Sequence, residues 1–391
     1  MKNSSNKKIR MGMIGGGEGA FIGGVHRIAA FMDGKIDLVC GAFSSNAEKC
    51  LSSGLSLGIS ADRCYSHYQK MFEVEAKRPA NKKVDFFAIV TPNHLHYPVA
   101  KMAMEYGFHV LSDKPATFDL TEALSLKQVI EKTGCLYGLT HTYNGYPLIK
   151  QARHLVATEA LGQIRKIVVE YSQGWLASKD DEGSKQASWR LDPKLGISCC
   201  MADIGVHAAN LAEYVSGLKI TQLCSDLNTV VDGRALDDDG TVLLRFNNGC
   251  KGVLMASQIA VGEENNLRLR IYGEHASLDW SQQEPNNLWL RSNTKPTQLI
   301  RTGVGEFCQA AQQAMRTPAG HPEGYLEAFA NIYVNFSRQI SAFNLGKSCT
   351  NEQFDVPGIN EAIRGMAFIS NAVSASKKET KWQKFNLQES S

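Results

Sequence analysis

Residues 83–115 constrain this chain more than any other stretch. An apolar run, Val84-Asp85-Phe86-Phe87-Ala88-Ile89-Val90, breaks at Thr91-Pro92-Asn93 and passes into a helix-like segment over 94–106. A second short strand over 107–112 ends at Asp113-Lys114-Pro115. Strand, loop, helix, strand and loop form the repeating unit of a parallel sheet with crossover helices. In such a sheet, loops leaving the carboxyl ends of neighbouring strands lie side by side, where ligands bind. Thr91, Pro92 and Asn93 are therefore expected beside Asp113, Lys114 and Pro115, with Lys114 pointing into the crevice.

Upstream, a strand over 8–14 runs straight into Gly15-Gly16-Gly17-Glu18-Gly19-Ala20, and a helix follows over 21–31. Gly15-x-Gly17-x-x-Ala20 matches a dinucleotide fingerprint. Glycines are needed there because a side chain would hold a pyrophosphate away from the backbone N–H groups, which the helix N-terminus supplies. Gly15, Gly17, Glu18, Ala20, Phe21 and Ile22 are thus candidate cofactor contacts. The next strand, 36–43, lacks the terminal acid that grips the ribose of NAD and ends in Ser44-Ser45-Asn46. Ser44 and Ser45 are candidate ribose contacts, although the same residues also suit a turn and helix cap. No arginine adjoins them for a 2′-phosphate, so NAD or NADP stays open, with NAD preferred. With a helix over 119–132 and a strand over 135–140, the first 145 residues give six strands interleaved with helices, a Rossmann-type nucleotide-binding domain.

Residues 146–391 change character. After a helix over 146–161, strands are expected over 164–174, 220–231, 240–246, 250–261, 266–272, 276–280 and 287–291. Asn247-Asn248-Gly249 is a hairpin turn between two of them. This predicts an α+β domain on a large open, mainly antiparallel sheet with helices over 201–215 and 323–344 on one face. An apolar second face would be an oligomer contact. The C-terminal helix, 358–376, is free to pack back on the first domain. Asp237-Asp238-Asp239 reads as a solvated loop, and no metal is expected.

A net charge of +3 without a basic stripe gives no reason to expect nucleic acid or a membrane surface as partner. Apolar runs fall short of a membrane span, and the polar N-terminus leads directly into a strand, so no secretory signal is expected. Ten scattered cysteines with no ligand-type spacing suit a reducing cytoplasm. Between the strands ending at 174 and starting at 220 lie Cys199-Cys200 and Asp203-Ile204-Gly205-Val206-His207. On a helix Asp203 and His207 share one face, and a carboxylate that orients an imidazole makes a general base.

These motifs together resemble the Gfo/Idh/MocA oxidoreductase family, named for glucose–fructose oxidoreductase and inositol dehydrogenase. The likeness rests on the glycine turn, Thr91-Pro92-Asn93-x-x-His96-x-Pro98, Asp113-Lys114-Pro115 and Asp203-Ile204-Gly205-x-His207, and spans nearly the whole chain. It implies NAD(P)-dependent transfer of a hydride to or from a sugar, glycoside or inositol. It adds His96, Asp113 and Pro115 to the cofactor site and makes Lys114, Asp203 and His207 catalytic, Lys114 and His207 meeting over the nicotinamide. Asp113 stands where the family usually has glutamate, and Cys199-Cys200 fall on a loop that is usually small or glycine-rich. Sugar-oxidising members are similar at His141-Thr142-Tyr143-Asn144-Gly145-Tyr146, Trp189-Arg190-x-Asp192-Pro193 and His321-Pro322-Glu323-Gly324-Tyr325. His141, Tyr143, Asn144, Trp175, Trp189, Arg190 and His321 are accordingly candidate substrate contacts. The resemblance also implies a homo-oligomer, dimer or tetramer. It leaves two alternatives: an NAD-dependent glycosidase working by transient oxidation, or a non-catalytic cofactor-sensing regulator.

Overall fold

A computed structural model describes residues 8–179, 191–348 and 354–388. Its contacts divide into two units, the first comprising residues up to Phe118 with Glu122–Thr140 and Phe329–Ala362, and the second comprising most of the remainder.

The first unit is built on five parallel strands. They are β1 (Ile9–Gly15), β2 (Ile36–Ala42), β3 (Phe86–Val90), β4 (His109–Ser112) and β5 (Tyr137–Leu139), in the order β2-β1-β3-β4-β5. Helices α1 (Phe21–Phe31), α2 (Ala47–Ser56), α3 (Tyr68–Ala76), α4 (His96–Glu105) and α5 (Leu120–Thr133) connect them. The order reverses between β1 and β3, which opens a crevice at their carboxyl ends. The count of six strands is corrected to five; between β2 and β3 the chain adds only an isolated bridge from Cys64 to Gly41 after a 3₁₀ turn over Ala61–Arg63.

Every residue of β3 is buried, as a strand covered on both faces must be. Phe87 packs edge-on against Phe72 and Phe108, each at 4.9 Å between ring centroids. Its neighbour Phe86 faces the other way, 5.4 Å from Phe336. Phe336 lies on a long helix over Tyr325–Asn344 whose stripe of Phe329, Tyr333, Phe336 and Ile340 is buried. That helix was expected over the antiparallel sheet; from Phe329 onward it belongs to the parallel one. An apolar stripe at helical spacing specifies burial without specifying against which sheet.

His109 is a buried group of β4 whose Nδ1 accepts the Leu136 N–H at 3.0 Å. Burial pushes its imidazole down to about 4. The unfolded chain, titrating at about 6.5, takes up the proton first, so this stabilisation is present above pH 6.5 and is lost as pH falls towards 4. Denaturant titrations at about pH 7 and about pH 5 should differ by about 2 kcal/mol from this source. His109→Asn should flatten the difference.

The second unit carries a nine-stranded sheet. It comprises β6 (Ile164–Ser172), β7 (Ile220–Asn228), β8 (Asp239–Phe246), β9 (Lys251–Ser257), β10 (Asn266–Gly273), β11 (Ser277–Ser281), β12 (Asn287–Arg291), β13 (Gln298–Arg301) and β14 (Gln383–Lys384). The order is β13-β12-β11-β10-β6-β9-β8-β7-β14, antiparallel throughout except for the parallel pair β6–β9. As the Asn-Gly signal implies, Gly249 adopts φ +86 and its N–H bonds to the Phe246 carbonyl at 3.0 Å, turning β8 into β9.

Inward residues such as Ile167, Val169, Val242, Leu254, Leu269 and Ile271 are fully buried or nearly so. Among the described residues, the helices of this unit include α6 (Pro147–Ala157), α7 (Val206–Ser216) and α8 (Gln309–Ala314), with the helix over Ile359–Ser376 joining from Ile363. Arg153 of α6 lies 4.4 Å over the Tyr214 ring of α7. Arg364 grips Glu213 of α7 with two guanidinium nitrogens, and Glu213 also accepts the Ile220 N–H at 2.8 Å, tying α7 to β7.

On the outward face the register aligns Leu243, Val253 and Val168 with Arg270, Asp279, Trp289 and Leu299 in one cross-strand row. Leu243, Met255, Trp289 and Leu299 are exposed. The charges among them are mutually paired, Asp279 with Arg268 and Arg291, and Arg270 with Glu170.

Candidate active site

In the first unit β1 ends at Gly15 with φ +83. A Cβ at Gly17 would stand 2.6 Å from the Phe43 carbonyl oxygen. Ala20 leads into α1 without a side-chain cap, and the following Phe21 is exposed. The backbone donors at the start of α1 therefore have no competing side-chain acceptor and, with the helix dipole, suit an anion. Gly23 was not foreseen: a Cβ there would fall 2.3 Å from the Gly16 Cα, so the helix can seat against the turn only as glycine. Its spacing of one helical turn after the fingerprint was the available signal.

Beyond β2, Ser44 Oγ accepts the Asn46 N–H at 3.2 Å and Asn46 Oδ1 caps α2 through the Lys49 N–H at 2.9 Å. Glu18, Ser45 and Pro92 are exposed, while Ile22, Ser44 and Thr91 are half-buried. In the loop after β3, Thr91 Oγ1 and Asn93 Oδ1 are buried and bond to no partner among the described residues. A crevice lined by orphaned polar atoms beside a glycine cradle fits a dinucleotide.

Both ring nitrogens of His96 face backbone carbonyls. Its Nε2 lies 2.8 Å from the Thr91 carbonyl and its Nδ1 2.7 Å from that of Pro115. Burial pulls its pKa down, so the neutral ring donates its one N–H to one of these carbonyls while it packs between the loops after β3 and β4.

Asp113 Oδ1 accepts the Lys114 N–H at 2.9 Å and the Thr140 hydroxyl at 2.8 Å. Behind it lies His26 of α1, fully buried, with Nε2 at 3.8 Å from Asp113 and Nδ1 at 2.7 Å from the Tyr333 hydroxyl. Burial alone would raise the Asp113 carboxyl, but the His26 ring, Lys114 and Thr140 outweigh it and hold it well below the usual carboxylate range. Burial also keeps Tyr333 protonated. The half-buried Lys114 precedes a cis peptide to Pro115.

In the second unit the segment Met201–Gly205 is a π-helical turn, with the Val206 N–H reaching back to Met201 O. Such turns insert an extra residue into the helical repeat. Asp203 sits in this turn, half-buried, and His207 in the first turn of α7, buried. His207 Nδ1 lies 3.4 Å from Nδ1 of His141, so one ring donates and the other accepts. Tyr143 stands edge-on to His207, 4.9 Å between centroids.

The Tyr143 hydroxyl belongs to a closed hydrogen-bonded set. It bonds to the Tyr171 hydroxyl, Tyr171 donates to Asn265 Oδ1 at 2.7 Å, and Asn265 Nδ2 returns to Tyr143 at 3.3 Å. Burial, reinforced by the Asp203 charge, raises both phenols and keeps them protonated. Tyr143 thus serves as a wall for His207. Trp175 joins the same network through Gln173, at 2.9 Å and then 2.7 Å to Asn265. Asn144 Nδ2 donates to Asn210 at 2.9 Å, and its Oδ1 is buried without a partner among the described residues.

The candidates thus separate. His141, Tyr143 and His207 come together, with Trp175 connected to them. His321 does not join them: it is exposed on a surface turn, its Nδ1 3.3 Å from the Pro318 carbonyl. Trp189 and Arg190 lie outside the described residues. The triple aspartate is not the solvated loop expected. Asp237 and Asp238 are buried because their carboxylates are satisfied, Asp238 by the Val230 and Val231 N–H groups at 2.8 and 3.0 Å and by the buried Arg234 guanidinium at 3.1 Å.

Residues 9–141 match the oxidoreductase family with an NAD-binding Rossmann fold, and residues 149–279 match the GFO/IDH/MocA C-terminal domain. The oxidoreductase YfiI of Bacillus subtilis (strain 168) is 34% identical over 387 residues, 97% of this chain and 98% of its own. An inositol dehydrogenase homolog from Azotobacter vinelandii, solved with NAD+, superposes with a TM-score of 0.93 at 31% identity, covering 98% of this chain and 100% of that one. The homolog's complex with NADH and myo-inositol gives 0.91 at 30%, covering 97% and 98%. Glycine cradle, lysine loop and Asp203–His207 segment thus occur in a chain that belongs to the Gfo/Idh/MocA family of NAD-binding oxidoreductases.

Proposed function

We propose that this oxidoreductase transfers a hydride between NAD and a secondary hydroxyl of a cyclic polyol or sugar, with inositols the leading class. The observation that carries the proposal is His207, an imidazole held in a buried aromatic pocket with Nδ1 against His141. With that nitrogen turned inward, His207 exchanges a proton with the substrate hydroxyl through Nε2. Asp203 assists as the nearby acid, and Lys114 stabilises the developing alkoxide by its charge. Gly15, Gly17 and Ala20 to Ile22 hold the pyrophosphate, Ser44 and Ser45 meet the ribose, and Thr91 and Asn93 offer polar atoms to the nicotinamide end. When bound, the dinucleotide supplies nicotinamide C4 as hydride acceptor or donor. NAD is favoured because no arginine adjoins the end of β2 to pair with a 2′-phosphate. Asn144 and the Trp175 ring contact substrate in this reading, and the relative solved with myo-inositol supports the substrate class.

The test is purified protein offered inositols, monosaccharides and glycosides with NAD and NADP in parallel, following the absorbance of reduced cofactor. Reduction of NAD by a cyclic polyol is the expected result; a panel without any turnover would remove the proposal.

We also propose a homo-oligomer that pairs the outward faces of two nine-stranded sheets. Its exposed apolar residues and internally neutralised charges suit a second copy of the same face. Light scattering should show Leu243→Lys/Met255→Lys reduced to the mass of one chain; an unchanged mass would place the contact elsewhere. Among the described residues no helix is long and apolar enough to cross a membrane. The nine cysteines described are all unpaired, which suits a reducing cytoplasm.

A further inference from the structure

We infer that Gln258 is a positioning residue for Asp203 and that the Cys199 thiol sets the direction of its carboxamide. Gln258 follows β9 and is fully buried. Its Nε2 donates to Asp203 Oδ2 at 2.9 Å, and its Oε1 accepts the Cys199 thiol at 3.3 Å. The main chain on either side is fixed, Gln258 N–H to the Asp238 carbonyl at 2.9 Å and Leu176 N–H to the Gln258 carbonyl at 3.0 Å.

An amide has one donor end and one acceptor end, so orientation decides its effect. With the thiol donating to Oε1, the NH₂ group must face the acid. A flipped amide would set Oε1 against the carboxylate, acceptor against acceptor, and turn the NH₂ group to sulfur. A neutral donor at Oδ2 favours the charged form of a carboxylate and fixes its direction without neutralising it.

Cys199 is in turn held by the unforeseen acid of the triple aspartate. Asp237 accepts the Cys199 N–H at 3.1 Å, the Met201 N–H at 3.0 Å and the Ser198 hydroxyl at 2.9 Å. The Asp203 N–H then closes onto the Cys199 carbonyl at 2.9 Å. The π-helical turn that carries Asp203 is therefore pinned by backbone at its start and by Gln258 at its side chain. Cys199 and Cys200 act here as buried structural groups: both are shielded from solvent, and burial pushes the Cys200 thiol well up, away from the reactive thiolate.

The inference rests on the catalytic assignment of Asp203, and the experiment separates the two. kcat and KM are measured with the best polyol found above for wild type, Asp203→Asn, Gln258→Met and the double variant. Expected is a loss in kcat of about 10- to 100-fold for Gln258→Met, with the KM for NAD near wild type and almost no further loss in the Asp203→Asn background. Equal losses in both backgrounds would make Gln258 merely structural and overturn the inference while leaving Asp203 in place. Full activity of Asp203→Asn would overturn the assignment and the inference together. Should Gln258→Met fail to fold, Cys199→Ala and Cys199→Ser decide: serine keeps a donor to Oε1 and should be the faster, whereas equal rates would overturn the role of the thiol.

Discussion

His207→Ala should lower kcat by ~10²–10⁴-fold, the span usual for loss of a positioned acid–base group. The KM for NAD should move little, because the cradle lies in the turn after β1 and the loops after β2 and β3, none of which His207 belongs to. The effect is assigned to proton transfer and not to lost structure, since alanine keeps the helix of α7 and removes only the ring against His141 and Tyr143. Steady-state kinetics in the oxidising direction checks the size. His141→Ala offers a graded comparison: it leaves the His207 ring in place but removes the partner of its Nδ1, so its loss should be smaller. Lys114→Ala should also fall heavily in kcat, because charge on a developing alkoxide is stabilised mainly in the transition state.

Gly17→Val should abolish useful cofactor binding. Its Cβ would meet the Phe43 carbonyl, a backbone atom, at 2.6 Å, so the turn itself must move. The N–H groups at the start of α1 would then be aimed away from the pyrophosphate. Calorimetric titration with NAD is expected to show Kd raised by about 100-fold, about 2.8 kcal/mol, with polyol turnover lost at ordinary cofactor levels. Binding within a few-fold of wild type would show that the pyrophosphate lies elsewhere.

Much of the frame was legible because buried parallel strands read as unbroken apolar runs. Phe86 to Val90 announce β3 in this way, and the residues that punctuate it, Thr91 to Asn93, mark the crevice. Glycine and Asn-Gly turns were legible for the same local reason: their backbone angles admit few residues. What escaped was long-range. Tyr171 and Asn265 close the ring around Tyr143 from 28 and 122 residues away, and a strand's alternation tells only which face each occupies. Gln258 sits 55 residues from Asp203, just past a strand end, without any pattern of its own. His26 and Tyr333 lie within buried helical stripes and so read as core, although they support Asp113 from behind. The third and fourth residues of β13, Ile300 and Arg301, follow a polar approach too weak in alternation to signal a strand. Asp237 and Asp238 looked solvated because charge predicts exposure unless a partner is known, and the sequence does not show which backbone N–H groups, or that Ser198 and Arg234, are those partners.

The most direct measurement is the stoichiometry of reduced cofactor to oxidised polyol when wild-type protein and NAD meet an active cyclic substrate, repeated with His207→Ala. Expected are one NADH for each ketone formed and a rate reduced by at least ~10²-fold in the variant. Cleavage of a glycoside with no net NADH, or equal rates for the two proteins, would contradict hydride transfer through His207.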